Sequence, residues 1–365
     1  MQGNIKDSHI SIKPQSQTTN LDIIKQLFES LNDKDKQHFI KSLDSATAKQ
    51  KVAKTIIESK VTMCPYCHST HFVKNGTKAN TYGQKRNIQN YLCRDCNKSF
   101  GDTSNTILFS TKKHISVWET YIHCLVEKYS LRKTAKICNI SLNTAFIWRH
   151  KILDSLQSMM NEVELNGIIE ADETFLRLSF KGNHKNFKLP RLSKHRGTRA
   201  FKRGLSKEQV CIPCAINHNG LSLAKISNLG KPTLKDLQNS IICNKIAKGS
   251  MFVTDSLRAY LKLSNDMNLN HIRIPSNKFT LGTFNIQMIN SYHSRLKAMI
   301  KYNFKGVATK YLNNYLVYHN FVNFAKDSIE DKKIILLNFI QKTKCISKYS
   351  DIPKKEMWID GRFVA

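Results

Sequence analysis

Cys64-Pro65-Tyr66-Cys67 and Cys93-Arg94-Asp95-Cys96 form two Cys-x-x-Cys pairs about 25 residues apart, and no other feature restricts the local fold so tightly. Each pair sets two thiols on one knuckle, and two knuckles can close a tetrahedron of thiolates around zinc. The spacing predicts a zinc ribbon over 61–105, with Phe72 to Gly76 and Asn90 to Leu92 as hairpin strands. Four unrelated buried cysteines are the competing reading, and they would have no reason to come in matched pairs. His68 and His71 lie nearby but are surplus to a complete four-thiolate set. Cys211-Ile212-Pro213-Cys214 is a lone pair inside an apolar run, so it reads as strand packing in a core.

The 365 residues carry 58 Lys and Arg against 27 Asp and Glu, a net charge of +31, with 41% hydrophobic content. That is enough apolar material for two or three domains, and the charge excess points to a polyphosphate partner. No run of 18 or more apolar residues is present, and Met1 to Lys6 lacks the apolar stretch of a signal peptide. The expectation is a soluble protein of the cytosol or nucleoid, not of a membrane. Its ten cysteines are then reduced, which again favours metal over disulfides.

Residues 1–20 are polar and predicted to be disordered, and 21–60 show helical spacing of Ile24, Phe28, Leu31, Phe39 and Leu43. This second stretch is either an accessory region or a plain helical cap. After the ribbon, 112–160 holds a helix-turn-helix pattern: Leu131, Ala135 and Ile137 on a first helix, Asn139 to Ser141 as the turn, and Leu142 to Leu153 as a second helix capped by Ser141. Asn143, Thr144, Arg149, His150 and Lys151 are expected to face outward, the first two near base edges. A generic helical pair is the alternative.

From 165 to 325 strands and helices alternate, predicting a mixed α/β domain. The strands are Ile168 to Phe175, Gln209 to Asn217, Leu221 to Ile226, Met251 to Thr254 and His271 to Ile274; the helices are Leu234 to Ile246 and Asn285 to Lys301. Between Phe175 and Lys326 only Glu208, Asp236, Asp255 and Asp266 are acidic. Asp255 ends the apolar run Met251 to Thr254, and Asp172 lies on the strand beginning at Ile168. Two strand-borne acids on a polyanion-binding chain point to divalent-metal chemistry on a nucleic acid backbone. Glu170 shares a strand face with Asp172 and is its understudy; Glu173 is read as structural or solvent-facing. Asp236, Asp266 and Glu208 are read as solvated charges.

No carboxylate lies between Asp266 and Asp327, so a third ligand on the following helix must be an amide or an imidazole. Asn290, His293 and Lys297 fall on one face there, beside the apolar stripe of Ile289, Leu296 and Ile300. Arg177 to Lys207 holds eleven Lys or Arg and no acid, which predicts a basic loop gripping DNA backbone. Arg196, Arg199, Lys202 and Arg203, together with His293, are the further candidate DNA contacts. Tyr311, Tyr315 and Tyr318 recur at helical spacing and are read as core. The region 326–365 is read as a C-terminal tail.

Ile169 to Thr174, Lys202 to Val210, Val253 to Asp255, Asn285 to Lys297 and Phe304 to Leu312 together resemble bacterial insertion-sequence transposases of the ISXO type. The resemblance covers Cys64 to Phe324. It implies a zinc ribbon and helix-turn-helix ahead of a ribonuclease-H-like catalytic domain. It also implies two Mg²⁺ or Mn²⁺ ions on Asp172 and Asp255, Asn290 in the third acidic position, and Lys297 beside the reacting phosphate. The partners implied are terminal inverted repeats and target DNA, bound by a homodimer or higher oligomer. A DNA-binding regulator without catalysis, and a nuclease without strand transfer, remain the alternatives.

Overall fold

The computed structural model describes residues 61–79, 87–161, 163–182, 204–278, 280–323, 329–345, 347–355, 358–359 and 362–363. The regions expected as a disordered start, 1–20, and as accessory helices, 21–60, lie outside the described residues. So do Arg196, Arg199, Lys202 and Arg203.

The chain enters through a small antiparallel sheet of β1 (Phe72–Ala79), β2 (Asn87–Cys93) and β3 (Ser99–Phe100), in that order. Phe72 pairs with Cys93 and Leu92 with Ser99. Phe72, Tyr91 and Phe100 pack ring against ring at about the same spacing, 5.5–5.6 Å between centroids. This trio and the cysteines are most of the core such a short stretch can build.

Three helices follow: α1 (Ile115–Val126), α2 (Leu131–Ile137) and α3 (Leu142–Asn161). Ser130 caps α2 by accepting from the Lys133 N–H, and Ser141 caps α3 by accepting from the Thr144 N–H. Asn139, at φ 48°, makes the left-handed turn between them. Trp118 of α1 stacks on Trp148 of α3 with ring centroids 3.6 Å apart, which fixes the crossing of the two helices.

The main sheet contains β4 (Ile168–Arg177), β5 (Gln209–Asn217), β6 (Ser222–Ala224), β7 (Met251–Thr254) and β8 (Asn270–Arg273), ordered β6-β5-β4-β7-β8. β4 and β5 are antiparallel, as are β5 and β6, whereas β7 runs parallel to β4 and β8 parallel to β7. Central strands covered on both faces are apolar throughout, and β5 is buried over eight of its nine residues. Pro213 is tolerated inside β5 because of its direction. Two residues earlier Cys211 bonds outward, to Asn228 and Ser227, so the missing Pro213 N–H faces the same outer side, before the β6 pairing begins at Cys214. Cys211 and Cys214 are both fully buried.

Around the sheet lie α4 (Leu234–Gln238), α5 (Arg258–Asp266), α6 (Gln287–Ala298), α7 (Leu312–Asn323) and α8 (Ile329–Lys342), with short hairpins β9 (Thr280–Leu281) and β10 (Phe284–Asn285), and β11 (Trp358–Ile359) and β12 (Arg362–Phe363). α6 packs on β4 and β5, α7 on β6 and α3, and α8 on α1. The helix predicted over Leu234 to Ile246 ends at Gln238, because Asn239 and Ser240 cap it and Asn244 takes φ 65°. Asp236 is no free charge: its Oδ2 accepts from the Thr233 N–H, the Thr233 hydroxyl and Asn228 Nδ2. Asp266 ends α5 and accepts from Gln238, and Glu208 also has an interaction partner. Within the expected C-terminal tail, α8 is a packed helix, and the Cys345 N–H bonds the Asn105 carbonyl.

Candidate active site and metal centre

Asp172 and Asp255 sit on neighbouring parallel strands. The last registered pair of β4 and β7 is Ala171 with Thr254, so the two acids follow side by side, one step beyond it. Adjacent strands lie about 4.8 Å apart, which brings the two carboxylates within reach of shared cations. Each acid is pinned through one oxygen by a local backbone N–H: Glu173 to Asp172 Oδ1 at 2.8 Å and Leu257 to Asp255 Oδ1 at 2.9 Å.

Burial pushes the Asp172 carboxyl up to about 6, opposed by the Glu173 N–H, reinforced by the Asp255 charge and opposed again by Lys297. Glu173 is pushed up to about 7, first by burial, with the Tyr260 hydroxyl opposing and the two aspartates adding to it. Glu173 is therefore not a solvent-facing acid; it sits beside Tyr260 within the field of the pair. Acids that repel one another in a partly dry site suit a divalent cation, which removes the repulsion without a proton. Lys297 adds only a screened, exposed ammonium.

The two raised carboxyls give the metal-free protein a defined pH response. A group whose folded pKa exceeds its unfolded value contributes stability that is fully present below the unfolded pKa and lost as pH rises through the folded one. The window runs from 3.8 to about 6 for Asp172 and from 4.5 to about 7 for Glu173. Asp172 alone changes stability by about 3 kcal/mol across it. The rise in melting temperature on adding Mg²⁺ is expected to be larger at pH 7.5 than at pH 5, where Asp172 and Glu173 hold protons that compete with the ion. A rise of equal size at both pH values, or none at either, would sink the assignment.

Glu170 turns out to have a different task from the one its strand face suggests. It is 1% exposed, and its Oε2 accepts the Ile289 N–H at 2.9 Å, with the Met288 N–H also directed at it. These are N–H groups of the first turn of α6, whose own N-cap residue, Ile286, has no capping side chain. A carboxylate from β4 thus closes the helix end from outside and meets the positive pole of its dipole. That contact fixes where α6 presents Asn290, His293 and Lys297 relative to Asp172.

On α6, Asn290 and Lys297 are exposed, whereas His293 is 7% exposed and belongs to the wall of the site. Its Nδ1 lies 3.8 Å from Asp172 Oδ2, too long for a hydrogen bond. Burial, and then the Lys297 charge, lower its pKa to about 4, so the ring is neutral at pH 7. His293 is accordingly corrected from a DNA contact to a buried neighbour of Asp172.

Arg149 is the second correction. It was expected to face outward, yet it is fully buried, with Nη2 donating to the Tyr129 carbonyl at 2.8 Å and the guanidinium 5.3 Å from the Phe304 ring. His150 is buried as well, against Asn314. From Ala145 onward α3 is largely buried and packs on α7, so its first turn is the part presented outward. There Asn143 is exposed and donates to the Tyr349 hydroxyl, while Thr144 and Lys151 are half-buried.

In the small sheet, Cys64 Sγ lies 3.7 Å from Cys96 Sγ and Cys67 Sγ 3.5 Å from Cys93 Sγ, with all four ligand atoms within 4.8 Å of one another. A tetrahedron with zinc–sulfur bonds of about 2.3 Å has edges of roughly 3.8 Å, so the four thiols fit zinc. Among the described residues this is the one group of three or more Cys, His, Asp or Glu side chains gathered so closely. His71 is engaged elsewhere, 3.1 Å from Asp95.

Comparison with known proteins matches the α/β region to a transposase domain and to proteins of insertion elements. Residues 164–321 match the family model of the ISXO2-like transposase domain. The chain is 22% identical over 204 residues to an uncharacterized protein in transposable element ISH50 of Halobacterium salinarum, covering 56% of this chain and 65% of that one. It is 32% identical over 132 residues to the insertion element ISM1 uncharacterized 48.3 kDa protein of Methanobrevibacter smithii, covering 32% of each. The chain thus spans less than two thirds of either relative. Structures of the Mos1 pre-cleavage transpososome and of the Mos1 mariner paired end complex with Mn are 9% identical, both at a TM-score of 0.25. They cover 64% and 89% of this chain and are covered over 75% and 90% of theirs.

Proposed function

We propose that this protein is a DNA transposase that cleaves and joins strands at the ends of an insertion sequence. The observation that carries the reading is the pair Asp172 and Asp255, side by side where β7 ends against the middle of β4, within a matched transposase domain. The sheet order, with three antiparallel strands on one side and two parallel strands on the other, supports a ribonuclease-H-like catalytic core.

Asp172, Asp255 and Asn290 would hold Mg²⁺ or Mn²⁺, which supplies Lewis-acid activation of the attacking oxygen and stabilises the leaving one. The remaining work falls to side chains. The Glu173 and Leu257 N–H groups hold each aspartate in one rotamer, leaving the second oxygen free. Glu170 holds α6, the helix that carries Asn290 as third ligand and Lys297 to offset the charge of the phosphate. Neutral His293 keeps water from Asp172 without competing for its charge. An amide in the third position attracts a cation less than a carboxylate does, so a second ion would be held more weakly than a first. The exposed first turn of α3, with Asn143 and Thr144, and the four-cysteine unit with structural zinc are assigned to recognition of the element ends in double-stranded DNA, by two or more protomers.

The test is incubation of the full chain with duplexes carrying the ends that flank its coding segment, plus target DNA, with and without Mg²⁺. Joined product that requires Mg²⁺ is expected. Cleaved ends without joined product would make the protein a nuclease, and binding without cleavage would make it a regulator. No helix among the described residues is long and apolar enough to cross a membrane.

A further inference from the structure

Away from the aspartates, a cavity of about 1550 Å³ opens between the α2–α3 pair and the turn that follows α6. Its wall is strongly cationic: Arg132, Lys133, Lys181 and Lys305 line it, against one acid, Glu127. Arg149 lies in the same wall as a buried positive charge. Its Nε and Nη1 donate to no acceptor, and no carboxylate pairs with it among the described residues. Aromatic faces are interleaved with the charges. Tyr302 is 62% exposed on a π-helical turn, Met299–Asn303, a local distortion frequent at functional sites. Phe304 follows, and Lys305 at φ 56° with Gly306 at φ 94° turns the chain back along the rim. The Lys181 ammonium bonds the carbonyls of Lys305 and Gly306, at 3.1 and 3.3 Å, and so anchors that turn.

We propose that this cavity binds an unpaired segment of DNA strand, with bases stacked on Tyr302 and phosphates met by Arg132, Lys133 and Lys305. The volume exceeds the roughly 300–1,000 Å³ of a small-molecule site. Contact with duplex backbone needs cations alone, whereas exposed flat rings among cations match bases that have left the stack. Tyr302 lies twelve residues beyond Asn290 on a continuous helical path, about 18 Å at an α-helical rise. The segment bound is therefore a few nucleotides from the reacting phosphodiester, and in this respect the proposal rests on the transposase reading.

The experiment measures fluorescence anisotropy of the full chain with a labelled twelve-nucleotide thymidine strand and with a hairpin duplex of equal phosphate count. Tyr302→Ala is expected to weaken single-strand binding about fivefold to a hundredfold, the effect of one lost stack, and to leave duplex binding within about twofold. Tyr302→Phe should bind as the native protein does. Equal losses on both ligands, or none on the single strand, would overturn the proposal. Asp172→Ala serves as the separating control, because it should lose cutting and joining while single-strand binding keeps its dependence on Tyr302. If the native chain neither cuts nor joins DNA yet shows the Tyr302 dependence, the transposase reading fails and the cavity assignment stands.

Discussion

Asp172→Ala and Asp255→Ala are each expected to lower Mg²⁺-dependent cleavage and joining about a thousandfold, the scale of losing roughly 4 kcal/mol of transition-state charge stabilisation. Neither change should weaken the fold. Each carboxylate has a local backbone partner, the N–H one residue on for Asp172 and two residues on for Asp255, and the two acids repel across the strand pair. Removing one relieves the repulsion, so melting temperature in Mg²⁺-free buffer should stay level or rise at pH 7.5. Glu170 is the counter-example on the same strand, because its loss leaves N–H groups of α6 without an acceptor and must lower stability. The opposite signs separate acids that serve chemistry from the one that serves architecture. Product formation on gels and thermal melts of the same variants check both halves. Full activity in either aspartate variant would end the active-site assignment.

Asp255 was readable because a buried parallel strand is a short apolar run, and an acid at its end stands out from what precedes it; Asp172, in the middle of β4, was readable as an acid on a second predicted strand. The same logic misplaced Glu170. Strand alternation correctly puts it on the face of Asp172, but only the folded chain shows that this face meets the first turn of a helix over a hundred residues later. A signal was present in the poor capping of α6, whose N-cap is Ile286, and an uncapped helix start next to a scarce buried acid is a pairing that could have been sought. Arg149 and His150 failed for a related reason. Helical periodicity tells which residues share a face, not what covers it, and α7 lies against the side of α3 that carries them. The strand boundaries of β5 and β7 match because their composition leaves no alternative period. The helix foreseen over Leu234 to Ile246 stops early because Asn239, Ser240 and Asn244 favour caps and left-handed turns over helix, a local preference that its apolar spacing concealed.

Removing zinc should have the largest structural effect of any single change, and a local one. The unit around β1 to β3 buries Cys64, Cys93 and Phe100 fully, with only Val61, Phe72, Tyr91 and Cys96 packed around them. A stretch of this size cannot close the entropy deficit of folding with so few apolar contacts, and a structural zinc contributes about 10–16 kcal/mol to such units. Cys93→Ser, or a strong chelator, is therefore expected to abolish amide-exchange protection over 72–79 and 87–93. Protection across β4, β5 and β7 should persist, since their core shares no residue with the cysteine cluster. The strain should spread only as far as two contacts carry it: Asn105 Nδ2 donates to the Pro65 carbonyl, and the Asn105 carbonyl accepts from Cys345. Loss of zinc should thus loosen the junction after α8 next. Exchange mass spectrometry with metal analysis of the same sample decides the matter. One zinc per chain with the predicted loss is expected, and unaltered protection of β1 and β2 after zinc removal would mean that the aromatic trio alone holds the sheet.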